Sequence, residues 1–290
     1  MFYPNDIAPL PSYTEENLLC ERMNTLSALR QRLWLWGHPA GAHNHLYNLS
    51  KESRMTPTEA ALYLGIPNIC MVCYGNEPNP PFDRECIAMS PMQKVIWSIV
   101  GDSSCDNALA TFGHLEEILR LSEKFSNIHG AIFDDFFAEE RRRLYTPQVL
   151  TQIRERLRNN PVRPLDMWLV LYDHQLTSEN QEQINAFDGI TFWTWSGSNL
   201  EKFRQNFASF CSMTPGKRRL LGCYLYNYGE GSPFTREDMS FQLNCYWEVI
   251  RKGEAEGIIF LSNTVCDLEL EAVEYTREWI ALHGDEEIES

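Results

Sequence analysis

Gly130-Ala131-Ile132-Phe133-Asp134-Asp135, a helix-length segment over Pro147–Arg158, and Met167-Trp168-Leu169-Val170-Leu171-Tyr172 together decide the fold. The first and third are short apolar runs ending in polar groups, and the second is amphipathic. Strand, helix, strand in this order is the unit of a parallel sheet covered by helices.

The same alternation extends in both directions. Upstream, strand-like runs lie at Arg32–Gly37, Ile69–Tyr74 and Val95–Val100. Helices are expected from Thr56 and over Ala108–Lys124. Thr56 is a candidate N-cap, with Pro57 in the first turn and Glu59 completing a capping box. Downstream, runs at Gly189–Trp195, Leu220–Tyr226 and Gly257–Leu261 alternate with helices over Glu179–Ala186, Leu200–Cys211, Arg236–Lys252 and Leu268–Leu282. Eight such units are the number that closes a barrel, so the expectation is a single-domain α/β chain, a (β/α)8 TIM barrel. Residues 32–283 form it. Residues 1–31 are an N-terminal extension with a helix from about Thr14 to Gln31, and residues 284–290 are an acidic tail expected to be disordered.

Composition narrows the function classes. With 43% hydrophobic and 22% charged residues, the chain is that of an ordinary globular domain. A net charge of -15 speaks against sequence-independent nucleic-acid binding and against anionic membranes. No apolar run approaches the roughly 20 residues that span a bilayer, and no GxGxxG or GxxxxGK[ST] loop supports nucleotide binding. The nine cysteines are an odd number, and Cys70, Cys73 and Cys223 lie within apolar runs, as small hydrophobes do. With no signal peptide visible at Met1-Phe2-Tyr3-Pro4, the expectation is a cytoplasmic protein in a reducing compartment.

In a closed parallel barrel the chemistry sits at the strand C-termini. These ends carry His38, Tyr74, Asp102, Asp134 and Asp135, Asp173 and His174, Trp193 and Trp195, Tyr226, Asn227, Tyr228 and Glu230, and Asn263. Carboxyl groups beside aromatic rings fit glycoside hydrolysis. That reaction needs one carboxyl to protonate the leaving oxygen and a second as nucleophile or base, while sugar C–H faces stack on rings. By strand alternation Asp134 faces the barrel axis and Asp135 the other side or the loop. Asp102, in Gly101-Asp102-Ser103-Ser104, reads as a turn former.

The run from Gly130 to Phe137 resembles the fourth strand of glycosidase barrels, where a terminal Asp or Glu is catalytic. The architecture as a whole resembles a bacterial family of such barrels. In chitinase-like barrels that strand reads Gly-x-Asp-x-Asp-x-Glu, whereas this chain has Ile132, Asp134 and Phe136 at the alternating positions. The resemblance therefore implies no substrate-assisted chitinase mechanism. Barrels with Glu at the ends of strands four and seven also differ, because strand seven offers Tyr226-Asn227-Tyr228 before Glu230.

The reading is a carbohydrate-active hydrolase with Asp134 or Asp135 as one catalytic carboxyl and Asp173 or Glu230 as the other. One of the pair should hold its proton at working pH through burial or a neighbouring charge. Trp193, Trp195 and Tyr226 are the expected sugar platforms, and His38, His43 and Asn227 the hydroxyl ligands. The loop from Gly75 to Pro91 is expected to wall the cleft, and no cofactor or metal is called for. Two rivals stand beside this reading. His43-Asn44-His45, with His174 and Asp267, resembles part of an amidohydrolase metal set, although Trp195 stands where that family has a His. A barrel that binds glycans without cleaving them is the other.

Overall fold

The computed structural model describes residues 27–102, 105 and 112–288. Eight strands form a closed barrel: β1 Leu33–Gly37, β2 Asn68–Met71, β3 Lys94–Val100, β4 Ile128–Phe133, β5 Asp166–Tyr172, β6 Gly189–Trp193, β7 Arg218–Tyr224 and β8 Gly257–Leu261. Every neighbouring pair is parallel, including β1 with β8. Each strand packs on helices outside and on its fellows inside, so burial on both faces explains the unbroken apolar runs.

The helices covering the strands are α1 Pro57–Leu64, α2 Asp83–Ala88, α3 Leu115–Lys124, α4 Glu139–Leu144, α5 Pro147–Arg158, α6 Gln181–Asn185, α7 Phe203–Met213, α8 Arg236–Arg251 and α9 Glu271–His283. At the start of α1 the Thr56 hydroxyl accepts the Glu59 amide, and the Glu59 carboxylate accepts the Thr56 amide. Thr235 and Asp238 repeat this box at α8. The short helices α2 and α4 lie in connections that carry no helical periodicity of their own.

Three expectations need correction or completion. The N-terminal helix over 14–31 lies outside the described residues up to position 26. Beyond that, Ser27–Ala28 is a short strand and Leu29–Arg32 a 3-10 turn. The acidic tail is structured to Ile288: Glu287–Ile288 pairs antiparallel with Ser27–Ala28, while Glu286 meets Arg251 and His283. Its charges are thus ion-pair partners of helix ends rather than a repelling block. The α3 helix begins at Leu115, and of its expected first turns residues 108–111 lie outside the described residues.

Large rings fill the barrel, and small residues make room for them. Trp168 pairs in register with Gly189 on the next strand, and Trp193 with Gly222. A methyl group on either glycine would stand inside the neighbouring indole. At the N-terminal rim Arg218 lies 5.0 Å over the Trp168 ring and bridges Asp166 and Glu256. That rim is therefore bound up in structural ion pairs, which leaves the opposite rim for chemistry. Cys70 and Cys73 form a Cys-x-x-Cys spacing, but both are buried and burial pushes their thiols far up, so they pack as apolar groups. Among the described residues no helix is long and apolar enough to cross a membrane.

Candidate active site

A cavity of about 540 Å³ opens at the C-terminal ends of the strands, and residues following seven of the eight line it together with Leu261 of β8. That volume lies within the range of small-molecule sites.

Three carboxyl groups reach the cavity: Asp102 after β3, and Asp134 and Asp135 after β4. Strand alternation would send Asp135 away from the axis. Its φ of 43° places it in the left-handed region, and this turn brings both carboxyls to the same side. The Asp135 amide donates to Asp134 Oδ1 at 2.9 Å, and the Tyr172 hydroxyl donates to Asp135 Oδ1 at 3.0 Å. Asp134 is only 5% exposed. Burial pushes its pKa well above the ordinary carboxyl value, and the neighbouring Asp135 and Asp102 push the same way. Arg141 opposes them, yet its guanidinium is already committed. It donates to the backbone carbonyls of Asp134, Gly101 (2.7 Å) and Asp102 (2.6 Å), tying the ends of β3 and β4 together.

Aromatic rings form the floor and one wall. Trp193 is buried, donates its indole N–H to Thr191 Oγ1 at 2.8 Å, and meets Trp36 edge-on at 5.2 Å. Trp195 is 37% exposed and stands edge-on to Tyr172 and Tyr224, which makes it a ring at the rim. The opposite wall holds His38 and His43, with ring centroids 4.6 Å apart, and the hydroxyls of Tyr47 and Tyr74 at 3.3 Å from each other. His43 Nδ1 bonds Thr264 Oγ1 at 2.8 Å and faces the Tyr228 hydroxyl at 3.3 Å. Burial lowers the His43 pKa to about 4. His38 is pushed well below its usual value by burial and then by His43, so both rings are uncharged at neutral pH. Asn263 fixes His38 by bonding its amide (2.8 Å) and its carbonyl (3.0 Å), while His38 Nδ1 has no protein partner.

Of the ten residues expected at the site, six line this cavity: Asp134, Asp135, His38, His43, Trp193 and Trp195. Four do not. The Asp173 side chain is 5% exposed and accepts its neighbour His174's amide, although Tyr172, His174 and Gln175 around it do face the cavity. Glu230 sits in a separate surface depression. There Ser196, the Ser198 amide and Asn227 hold its carboxylate and bring its pKa down to about 2. Asn227 is occupied by Glu230 and the Gly197 amide. Tyr226 spends its hydroxyl on the Tyr47 carbonyl at 2.8 Å and braces the loop after β1 instead of meeting a ligand. The loop from Gly75 to Pro91 contributes no lining residue. Asp102, Tyr172, Tyr224 and Tyr228 belong to the site without having been singled out for it. Their signal was position alone, at or just past the ends of β3, β5 and β7.

The amidohydrolase set does not assemble. His43 is buried in the cavity wall, whereas the His45 side chain is 79% exposed and pairs with Glu52. Among the described residues no three His, Cys, Asp or Glu side chains are placed to hold a metal ion.

No protein-family profile matches the chain, and neither does any curated protein. Solved structures do resemble it. A family GH18 chitinase from Cycas revoluta in complex with allosamidin aligns at 12% identity over 85% of this chain and 99% of its own, with a TM-score of 0.56. A xylanase-alpha-amylase inhibitor protein bound to trehalose aligns at 13% identity, 88% and 99% coverage and a TM-score of 0.56. Active domain 2 of a thermostable chitinase from Pyrococcus furiosus, with chito-oligosaccharides, gives 14%, 80%, 83% and 0.53. At these identities the likeness establishes the barrel fold, which hosts enzymes and inhibitors alike.

Proposed function

We propose that this chain is a glycosidase-like, carbohydrate-active hydrolase whose site is the cavity at the C-terminal rim. One observation carries the reading: a buried carboxyl, Asp134, sits beside two further carboxyls in a cavity walled by aromatic rings. A carboxyl whose hold on its proton is strengthened by burial is what a glycosidic oxygen needs as it leaves. Asp134 is the general acid in this reading. Asp135, oriented by the Tyr172 hydroxyl, is the second carboxyl, acting on the anomeric carbon directly or through water. It replaces Asp173 and Glu230, which lie elsewhere. Hydrolysis then moves the Asp134 proton to the departing oxygen, and water supplies hydroxide to the anomeric carbon and returns a proton to the carboxyl pair. Asp102 helps to hold the proton on Asp134. Trp195, Trp193 and Trp36 offer faces and edges for the sugar ring, and His38 is a hydroxyl ligand.

The test uses leaving-group chemistry. A panel of aryl glycosides and oligosaccharides is assayed with the wild type, Asp134→Asn and Asp135→Asn. Loss of the general acid should lower oligosaccharide turnover about 10²–10⁴-fold. Dinitrophenyl glycosides, whose leaving group needs no proton, should be largely spared. Asp135→Asn should lose both. Equal losses on both substrates in Asp134→Asn would remove Asp134 from the acid role. Binding without turnover across the panel would make the chain a glycan-binding barrel.

A further inference from the structure

Resting on the carbohydrate reading above, we propose that the cavity selects its glycan by charge, taking a sugar with a free, protonated amino group in preference to its N-acetylated or hydroxyl counterpart and rejecting uronates and other anionic sugars. Three observations lead there. First, the described lining contains Asp102, Asp134 and Asp135 but no lysine or arginine. The stretch after Asp102, residues 103–111, adds none in sequence. An anionic substituent would enter this space facing carboxyl groups, with no lysine or arginine of the described lining to meet it. Arg141 does not supply one, because its guanidinium is directed at the carbonyls of Gly101, Asp102 and Asp134.

Second, His38 and His43 are the basic groups of the buried wall, and the fold keeps both rings uncharged, while the third histidine of the lining, His174, stands at the open rim 3.5 Å from the Asp173 carboxylate. The wall beside the carboxyls is thus polar without being positive. The His38 side chain, over nine-tenths buried, lines the cavity as an uncharged ring beside the carboxyls. Third, the same space is bordered by Tyr172, Tyr224 and Trp195, set edge to face around it. Rings beside carboxylates form the surroundings that bind ammonium groups, through the negative faces of the rings and direct charge pairing. A sugar ammonium is small enough to be held while its ring lies against the indoles.

The experiment compares matched ligands by calorimetry at about pH 6, where a sugar amine carries its proton and His43 does not. The probes are glucosamine and galactosamine oligomers, their N-acetylated forms, the corresponding neutral glucose and galactose oligomers, and oligogalacturonate. An amine oligomer should bind at least about tenfold tighter than its N-acetylated and neutral counterparts, and oligogalacturonate should not bind. The preference should shrink as sodium chloride is raised, as expected of charge pairing. It should also fall in Asp102→Asn and in Asp135→Asn, each checked for folding by circular dichroism. The salt series needs only the wild type, so the proposal stays open to refutation if a variant does not fold. Neutral or N-acetylated sugars binding as tightly as the amines, or uronates binding at all, would overturn charge selection and leave the glycosidase reading in place. If no sugar of any charge binds, both fall.

Discussion

Asp134 holds a proton inside the fold at pH values where an unfolded chain has already released it, and this has a cost that is measurable without any substrate. Its carboxyl is pushed above the value it would have in the unfolded chain. The native state therefore binds more protons from about pH 4 upward, and stability falls as pH rises through that window. Asp134→Asn keeps an acceptor for the Asp135 amide and carries no such cost. Urea unfolding should find the variant more stable than the wild type at pH 7 and indistinguishable from it near pH 3. Equal stability at both values would place the Asp134 carboxyl in an ordinary environment. His43 works in the opposite direction. Its pKa falls from 6.5 to about 4 on burial, so its contribution is complete above 6.5 and lost as pH drops toward 4. That fall corresponds to roughly 3 kcal/mol. In His43→Gln, unfolding curves between pH 6.5 and 4 should flatten by an amount of this order, and an unchanged slope would count against a buried neutral imidazole. Residue identity announces neither behaviour. In the sequence strand alternation sends Asp134 and Asp135 to opposite sides, and only the left-handed turn at Asp135 overrides it and places both in one cavity. Asp102 is likewise hidden, because Gly-Asp-Ser-Ser is as good a turn as it is a site.

Strands and helices were far easier to read than the site they carry. Burial on both faces makes each barrel strand a continuous apolar run, and capping residues such as Thr56 and Thr235 mark helix starts with local chemistry. The limits of reading appear where long-range partners decide an outcome. Glu230 seemed available because its loop is glycine-flanked, but Ser196, Ser198 and Asn227 from two loops take it up. Arg141 is the clearest case, since no motif surrounds it and yet it joins two strand ends. It is 2% exposed and satisfies three carbonyl oxygens. Arg141→Met keeps much of its volume and strands those acceptors, with an expected loss of about 2–4 kcal/mol by denaturant unfolding. Turnover should fall further than stability explains, because Asp102 and Asp134 lose their common anchor. A variant with wild-type stability would mean that water replaces the guanidinium without loss. Gly222 is legible only in hindsight, as the space beside Trp193.

Across the whole molecule, the two rims of the barrel divide the work. Ion pairs around Arg218 and the pairing of Ser27–Ala28 with Glu287–Ile288 occupy the rim where strands begin, and the carboxyl-lined cavity occupies the rim where they end. Such a division follows from parallel topology, which delivers every strand end to one side. It also leaves the two ends of the described chain as hydrogen-bonded neighbours on the far side from the cavity. A barrel segment whose two ends pair in this way can be rewired. Taking residues 27–288 alone, joining Ile288 to Ser27 by a short glycine–serine bridge and opening the backbone in the connection between Gly75 and Pro81 should yield a circular permutant that refolds to the same barrel. Near-wild-type far-ultraviolet dichroism and melting within a few degrees are the expected outcome, and an unfolded product would show that the order in which strands are made matters more than their final adjacency. The same meeting point is a natural handle: a surface, a dye or a second protein attached there would hold the molecule with its cavity facing outward.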